Sequence, residues 1–230
     1  VNDGSEEKYN GIFNEVKKIL EDYSGIILVH EQNRGKGRAL KTAFKYIIDN
    51  FSNAIGCVTA DCDGQHTPEC IVKIADGLRN SSNALVLGVR DFLMEDIPWK
   101  SRFGNRITEI VFNYVSGVHI SDTQTGLRGI PIAFMRDLLE VNGERFEFEI
   151  QMLIECAAKY PIVEIKIDTV YDSVDNHKTH FNAVTDSIKI YWILGKKFIR
   201  FLISSFSASI IDLVLFAVAC YYLNGIVSSY

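Results

Sequence analysis

Short apolar runs alternate with stretches of helical spacing along most of this chain, and that alternation leaves few folds open. Ile12, Phe13, Val16, Ile19 and Leu20 fall on one helical face. Ile26–His30 is a short apolar run, and Ala39, Leu40, Ala43, Phe44, Ile47 and Ile48 return to helical spacing. Ala54–Thr59 is short and rich in small and β-branched residues, as a buried strand is. Thr67 and Pro68 suit the N-cap and first position of a helix. Ala84–Val89 reads as a strand, Arg102–Val115 and Phe146–Lys159 as helices, and Val163–Val170 as a β-rich run. The pattern predicts an α/β fold: a mostly parallel sheet with helices on both faces.

A length of 230 residues allows one large or two small domains. The formal charge of −5 argues against a nucleic-acid binder, which would carry a basic footprint. The five cysteines are scattered, odd in number and without a CxxC pair, which suits a reducing compartment. Cys62 is read as filler, because no second Cys or His is spaced to complete a soft-metal site.

Ile203 to Leu223 is apolar or small throughout except Asp212, and at about 20 residues it is long enough to cross a bilayer. Lys196, Lys197 and Arg200 precede it and no basic residue follows, which puts the preceding chain on the cytoplasmic side of a cell membrane. A buried core helix is the plainer alternative, and the charged flank and length count against it. Asn182–Lys197 is amphipathic, with Val184, Ile188, Tyr191 and Trp192, and reads either as an interfacial helix or as a simple linker helix. The chain opens on Val1 and stops shortly after the apolar run, so a fragment cut at both ends is expected.

The chemistry gathers in four places. Asp61-Cys62-Asp63-Gly64-Gln65-His66 follows the Ala54–Thr59 run, at the carboxyl end of a strand, where open α/β sheets bind ligands. Two hard oxygen ligands there can hold Mg²⁺ or Mn²⁺ against a diphosphate, whereas the bland reading is a polar loop entering a helix. Asn33-Arg34-Gly35-Lys36-Gly37 precedes a helix and suits a diphosphate at the helix N-terminus, although it lacks the spacing of a P-loop. Asn2-Asp3-Gly4-Ser5 sits at a strand end, where Asp3 can accept from a base or ribose or can simply form a turn. Asp122-Thr123-Gln124-Thr125-Gly126-Leu127-Arg128 packs a carboxylate, hydroxyls and a cation together.

In order and spacing these stretches, with Gly88-Val89-Arg90, resemble the family 2 glycosyltransferases of GT-A fold, and most closely the polyprenyl-phosphate (dolichyl-phosphate) hexosyltransferases. Val1-Asn2-Asp3-Gly4-Ser5 is similar to that family's V-D-D-G-S, with Asn2 in place of the first Asp. Asn33–Gly37 is similar to N-x-G-K-G, Asp61–His66 to D-A-D-x-Q-H, and Asp122–Arg128 to D-x-x-S/T-G-F/L-R. The resemblance implies a GT-A domain over 1–181 lacking its first strand and helix, a juxtamembrane helix over 182–197, and over 198–230 the start of a GtrA-like membrane domain. It implies that Asp3, Lys36, Asp61, Asp63 and Gln65 bind the donor nucleotide or its diphosphate, with Asp61 and Asp63 on the metal. It places Arg90, Arg128 and Lys178 (with Arg102 as a further candidate) on the acceptor phosphate, with a solvated surface residue as the alternative reading of each arginine. Asp122 and Asp63 become the catalytic carboxylates, with an N-cap or a structural hydrogen bond to Thr125 as the alternative for Asp122. Glu147 and Glu149 are spaced i,i+2 and so lie on different helix faces; Glu147 is the choice for a second carboxylate, beside the plainer reading of an exposed first-turn glutamate.

The reaction so implied is inverting, divalent-metal-dependent transfer of a hexose from a UDP- or GDP-sugar to a polyprenyl phosphate at the cytoplasmic membrane face, with homo-oligomers through membrane helices allowed. Two other readings stay open. One is a family 2 transferase acting on a polysaccharide or other envelope acceptor, although no Q-x-x-R-W-type segment follows Glu149. The other is a non-catalytic nucleotide-sugar-binding subunit of a lipid-sugar translocation system, against which the intact Asp61, Asp63 and Asp122 argue. His177 and His180 have no evident third ligand and read as surface residues.

Overall fold

The computed structural model describes residues 1–81, 83–90, 109, 112–114, 116–168 and 185–227. They belong to two compact units, Val1–Ser187 and Ile188–Tyr230. In the first unit the strands are β1 (Asn2–Asp3), β2 (Val29–His30), β3 (Gly56–Thr59), β4 (Leu85–Arg90), β5 (Arg128–Pro131) and β6 (Ile162–Ile167). The helices are α1 (Asn10–Asp22), α2 (Lys36–Asn50), α3 (Pro68–Asn80), α4 (Ile132–Glu140) and α5 (Glu147–Lys159). Residues 112–114 and 116 are also helical, inside the stretch expected to form a helix.

β1 and β2 form a parallel pair, and the four-stranded sheet runs in the order β3-β5-β4-β6. β4 and β6 are parallel, while β5 lies antiparallel between β3 and β4. Three of the four strands therefore point one way and β5 is reversed, so the sheet is mixed, with a parallel majority. No strand is expected from periodicity at Arg128–Pro131, because a Gly and a Pro occupy half of it. The packing explains the Gly. A Cβ at Gly129 would sit 3.2 Å from both Ile74 and Leu78, so its absence lets α3 lie close on the sheet.

The two sheet faces separate cleanly. On one, Val58, Val86 and Leu127 pack with Cys70, Ile74 and Leu78 of α3. On the other, Cys57 meets Met135 of α4 at 3.4 Å, and the Arg128 side chain reaches Met152 of α5. The apolar residues that helical spacing picks out in α2 include the fully buried Phe44. α3 begins as expected: Thr67 Oγ1 accepts from the Cys70 N–H at 3.3 Å, and Pro68 occupies the first turn. α1 is amphipathic, but Ile12 and Ile19 are each 59% exposed while Phe13 and Leu20 are half-buried, so its apolar face is only partly covered among the described residues.

The second unit is taken up by α6 (Thr185–Val227), a helix of 43 residues that starts in the last residues of the first unit. Within it Ile199–Tyr221 is long and apolar enough to cross a membrane. Its 23 residues rise about 35 Å, against about 30 Å of bilayer hydrocarbon. The hydroxyls of Ser207 and Ser209 donate back to the Ile203 and Ser205 carbonyls, which satisfies them within the helix itself. The amphipathic stretch expected at 182–197 is helical from residue 185 and continuous with the apolar segment.

Candidate active site at the sheet edge

Strand direction puts the chemistry on one edge. In the sheet, Thr59 of β3 and Leu87 of β4 are both paired with Arg128 of β5. Asp61 and Arg90 therefore emerge at the same side of the sheet, from strand ends that flank β5. The segment 122–127 is tied across those ends: Thr59 Oγ1 donates to the Gly126 carbonyl at 2.9 Å, and Thr125 Oγ1 to the Gly88 carbonyl at 2.6 Å. A Cβ on Gly126 would lie 2.6 Å from Asp61 Cγ, so the glycine lets the Asp61 carboxylate rest against this loop.

The glycine loop is held by Asp3. Its Oδ1 accepts from the Arg34 N–H at 2.9 Å and its Oδ2 from the Gly35 N–H at 2.7 Å. His30 Nδ1 lies 2.6 Å from Asp3 Oδ1, and His30 Nε2 lies 2.9 Å from Thr42 Oγ1. With its proton on Nδ1, the ring donates to Asp3 and accepts from Thr42. Burial pushes the Asp3 carboxyl up, but the hydrogen bonds from His30 and the two backbone N–H groups outweigh it and hold the carboxyl below its ordinary value. Gly35 has φ +100°, a left-handed conformation that seats it at the N-cap of α2 and delivers Lys36 to the first turn.

Lys36 joins the loop to the acidic motif. Its Nζ is 2.7 Å from Asp61 Oδ1 and 3.0 Å from Glu149 Oε1. Burial alone would lower the Lys36 pKa, yet the charges of Glu149 and Asp61 more than offset it, so the ammonium is raised and stays charged. Asp63 is exposed and accepts the Gln65 N–H at 3.1 Å, with Gly64 turning the chain at φ +80°. His66 is half-buried, and its Nδ1 has no hydrogen-bond partner among the described residues. Burial lowers the His66 pKa; Asp61 and Asp63 oppose that, and Arg90 and Lys36 reinforce it. The ring thus feels all four charges of the edge.

Beneath this rim the charges are locked. Arg90 Nε and Nη2 bind Asp122 Oδ2 and Oδ1 at 2.7 and 3.0 Å in a two-pronged pair, and Gln124 N–H adds a bond at 3.1 Å. Asp122, the expected catalytic carboxylate, is 0% exposed. It is a buried anchor for Arg90, and its oxygens are not presented at the surface. Arg128 departs further from expectation. At 1% exposure it donates to the carbonyls of Thr125, Glu149 and Thr123 at 2.8, 3.0 and 3.4 Å. A guanidinium spent on internal carbonyls is placed as a strut and not at the surface. Asp3, expected at the nucleoside, holds the glycine loop.

Of the two glutamates, Glu149 reaches the site and Glu147 does not: Glu147 Oε1 accepts the N–H groups of Glu144 and Arg145 in the preceding loop. Glu149 shares its helix face with Met152, Leu153 and Cys156, which follow it at helical spacing and are buried. A carboxylate on an apolar helix stripe needs a partner, and Lys36 is that partner. Lys178, Arg102, His177 and His180 lie outside the described residues. A separate cleft of about 520 Å³ between α2 and α4, lined by Leu28, Thr42, Tyr46 and Leu139, contains none of the motif residues.

A divalent ion fits this edge in one particular way. Among the described residues no three carboxylate, imidazole or thiolate groups converge to form a protein cage. Asp61 and Asp63 instead offer two hard-oxygen side chains, and the Lys36 ammonium already shows that Asp61 takes a cation. Mg²⁺ and Mn²⁺ suit such a set, keeping other positions for water and a substrate diphosphate.

The chain is 31% identical over 153 residues, 64% of its length and 59% of the relative's, to a UDP-N-acetylglucosamine–dolichyl-phosphate N-acetylglucosaminyltransferase of Methanococcus voltae. It is 24% identical over 183 residues, 79% of its length and 58% of the relative's, to the glycosyltransferase AglJ of Haloferax volcanii. An uncharacterised protein of Methanocaldococcus jannaschii is 26% identical over 177 residues, 74% of this chain and 69% of the relative. The chain thus spans about three fifths of the length of two of these relatives. Residues 1–139 match the family described as Glycosyl transferase family 2. The chain belongs to glycosyl transferase family 2.

Proposed function

We propose that the protein transfers a hexose or N-acetylhexosamine from a nucleotide sugar to a polyprenyl phosphate, with inversion and with the help of a divalent ion. The observation that carries this reading is the convergence of Lys36 at a helix N-terminus, Asp61 with Asp63, and the Arg90–Asp122 pair on one sheet edge. The Methanococcus relative, whose name pairs a UDP-sugar with dolichyl phosphate, supports the donor and acceptor classes. The apolar segment Ile199–Tyr221 supports a membrane-held acceptor, and the basic residues before it support a catalytic unit on the cytoplasmic side. We further propose that residues 198–230 begin a GtrA-like membrane domain.

The chain's own groups divide the work. The α2 N-terminus and Lys36 hold the donor diphosphate. Asp61 and Asp63 would hold the ion, which supplies Lewis-acid stabilisation of charge on the departing nucleoside diphosphate. Arg90, aimed by Asp122, positions the acceptor phosphate at the rim. A phosphate oxygen forms the new bond to the anomeric carbon as the bond to the diphosphate breaks on the opposite face. The attacking oxygen is already anionic, so no general base is required, consistent with Asp122 being committed to Arg90. The test is a panel of labelled UDP- and GDP-sugars offered with polyprenyl phosphate and Mn²⁺ to the full chain in membranes. EDTA-sensitive label in the lipid phase from one donor is expected. Absence of transfer from every donor, with folded protein, contradicts the reading.

A further inference from the structure

We propose that Lys36 is a resident cation which a divalent ion must displace from Asp61, and that this exchange couples ion binding to diphosphate binding; the proposal rests on Asp61 and Asp63 being the ion's ligands. One ammonium is shared by two carboxylates, at 2.7 Å from Asp61 and 3.0 Å from Glu149. Lys36, Asp61 and Glu149 side chains are 25, 34 and 15% exposed, so water reaches the Asp61 end of the bridge more readily than the Glu149 end.

Neither carboxylate can readily follow Lys36. Asp61 has a short side chain with its carboxylate already close against Gly126, which limits its reach toward the loop. Glu149 lies on α5, whose neighbouring Met152 and Leu153 are buried, and Arg128 grips its carbonyl at 3.0 Å and lies 3.9 Å from its carboxylate. Lys36 is tethered at its backbone by Gly35 and Asp3 but has a long, rotatable side chain. It is therefore the mobile member of the bridge. An ion on Asp61 repels the ammonium at close range. Lys36 then swings to Glu149 alone or to an incoming diphosphate, and the second option is better because it adds an anion. An ion and a nucleoside diphosphate consequently bind with positive coupling, and the ion alone binds poorly.

The experiment is Mn²⁺ binding to the full chain in detergent micelles, read by the loss of the free-Mn²⁺ electron paramagnetic resonance signal, with and without UDP or GDP. Wild type, Lys36→Met and Glu149→Gln are compared, and near-ultraviolet circular dichroism establishes that each is folded. For wild type, the cognate nucleoside diphosphate should tighten Mn²⁺ binding about tenfold. Lys36→Met should bind Mn²⁺ alone about tenfold tighter than wild type, since the competitor is gone, and lose most of the nucleotide enhancement. Glu149→Gln should shift Mn²⁺ affinity the other way, about threefold weaker, because Lys36 then rests on Asp61 alone. Unchanged or weaker Mn²⁺ binding by Lys36→Met, or full nucleotide enhancement in that variant, overturns the proposal. Absence of Mn²⁺ binding by all three folded proteins, with nucleotide present, overturns the ion assignment and the proposal with it. Loss of sugar transfer alone bears only on the proposed function.

Discussion

The floor and the rim of the site use the same residue types in opposite ways. On the floor, Asp122 is 0% exposed and bound by both prongs of Arg90, and Arg128 spends its donors on main-chain carbonyls. On the rim, Asp61 is 34% exposed and shares one flexible lysine with Glu149, while Asp63 faces water. A planar guanidinium that meets a buried carboxylate with two bonds is fixed in place, whereas a lysine between two carboxylates can choose. The floor therefore sets geometry, and the rim is free to rearrange when ligands arrive.

Substitutions can break or sharpen this contrast. The largest effect belongs to the rim and is on turnover: Asp63→Ala should cut transfer by roughly 10³-fold or more with little change in melting temperature. Wild-type turnover in that variant would break the contrast at its most exposed point. Next comes Asp122→Asn on the floor, which removes one member of a buried pair and should cost about 3 kcal/mol, measured by denaturant unfolding. A loss of activity without a loss of stability would instead return Asp122 to a direct catalytic role. Arg128→Met should cost about 2 kcal/mol through its orphaned carbonyls. It should leave the Michaelis constant for the lipid phosphate near wild type, contrary to a phosphate-binding role. Lys36→Met should change stability by about 1 kcal/mol or less, because the rim pair is partly solvated.

The smallest effect is a pH dependence at Asp3. Its folded-state carboxyl is held below its ordinary value. The stabilisation is therefore present above the unfolded value near 3.9 and is lost as pH falls through the lower folded value. Melting temperatures between pH 6 and pH 3 should fall less steeply for Asp3→Asn than for wild type. Equal slopes would detach Asp3 from the glycine loop.

What was legible in the sequence follows the same division. Helical spacing placed α2, the capping pair Thr67 and Pro68 placed α3, and short apolar runs placed β3 and β4. Motif order placed Lys36, Asp61 and Asp63 on one edge, since each follows a strand that ends there. The floor was harder to read. Arg128 follows the polar run Asp122–Thr125 and, as a charged residue, reads as a surface cation; the pairing of β5 between β3 and β4 reveals that it is enclosed. The choice between Glu147 and Glu149 turned on which face of α5 meets the sheet, a matter of tertiary packing. α1 shows the converse, an apolar stripe that periodicity detects but whose Ile12 and Ile19 stay exposed among the described residues.

The most direct measurement is the initial rate of label transfer into polyprenyl phosphate as Mn²⁺ is titrated, for wild type and Asp63→Ala in matched folded preparations. A saturable, Mn²⁺-dependent rate in wild type and none in the variant is predicted. Equal rates, or a wild-type rate indifferent to Mn²⁺ and EDTA, would contradict the assignment of the rim as the working face of the site.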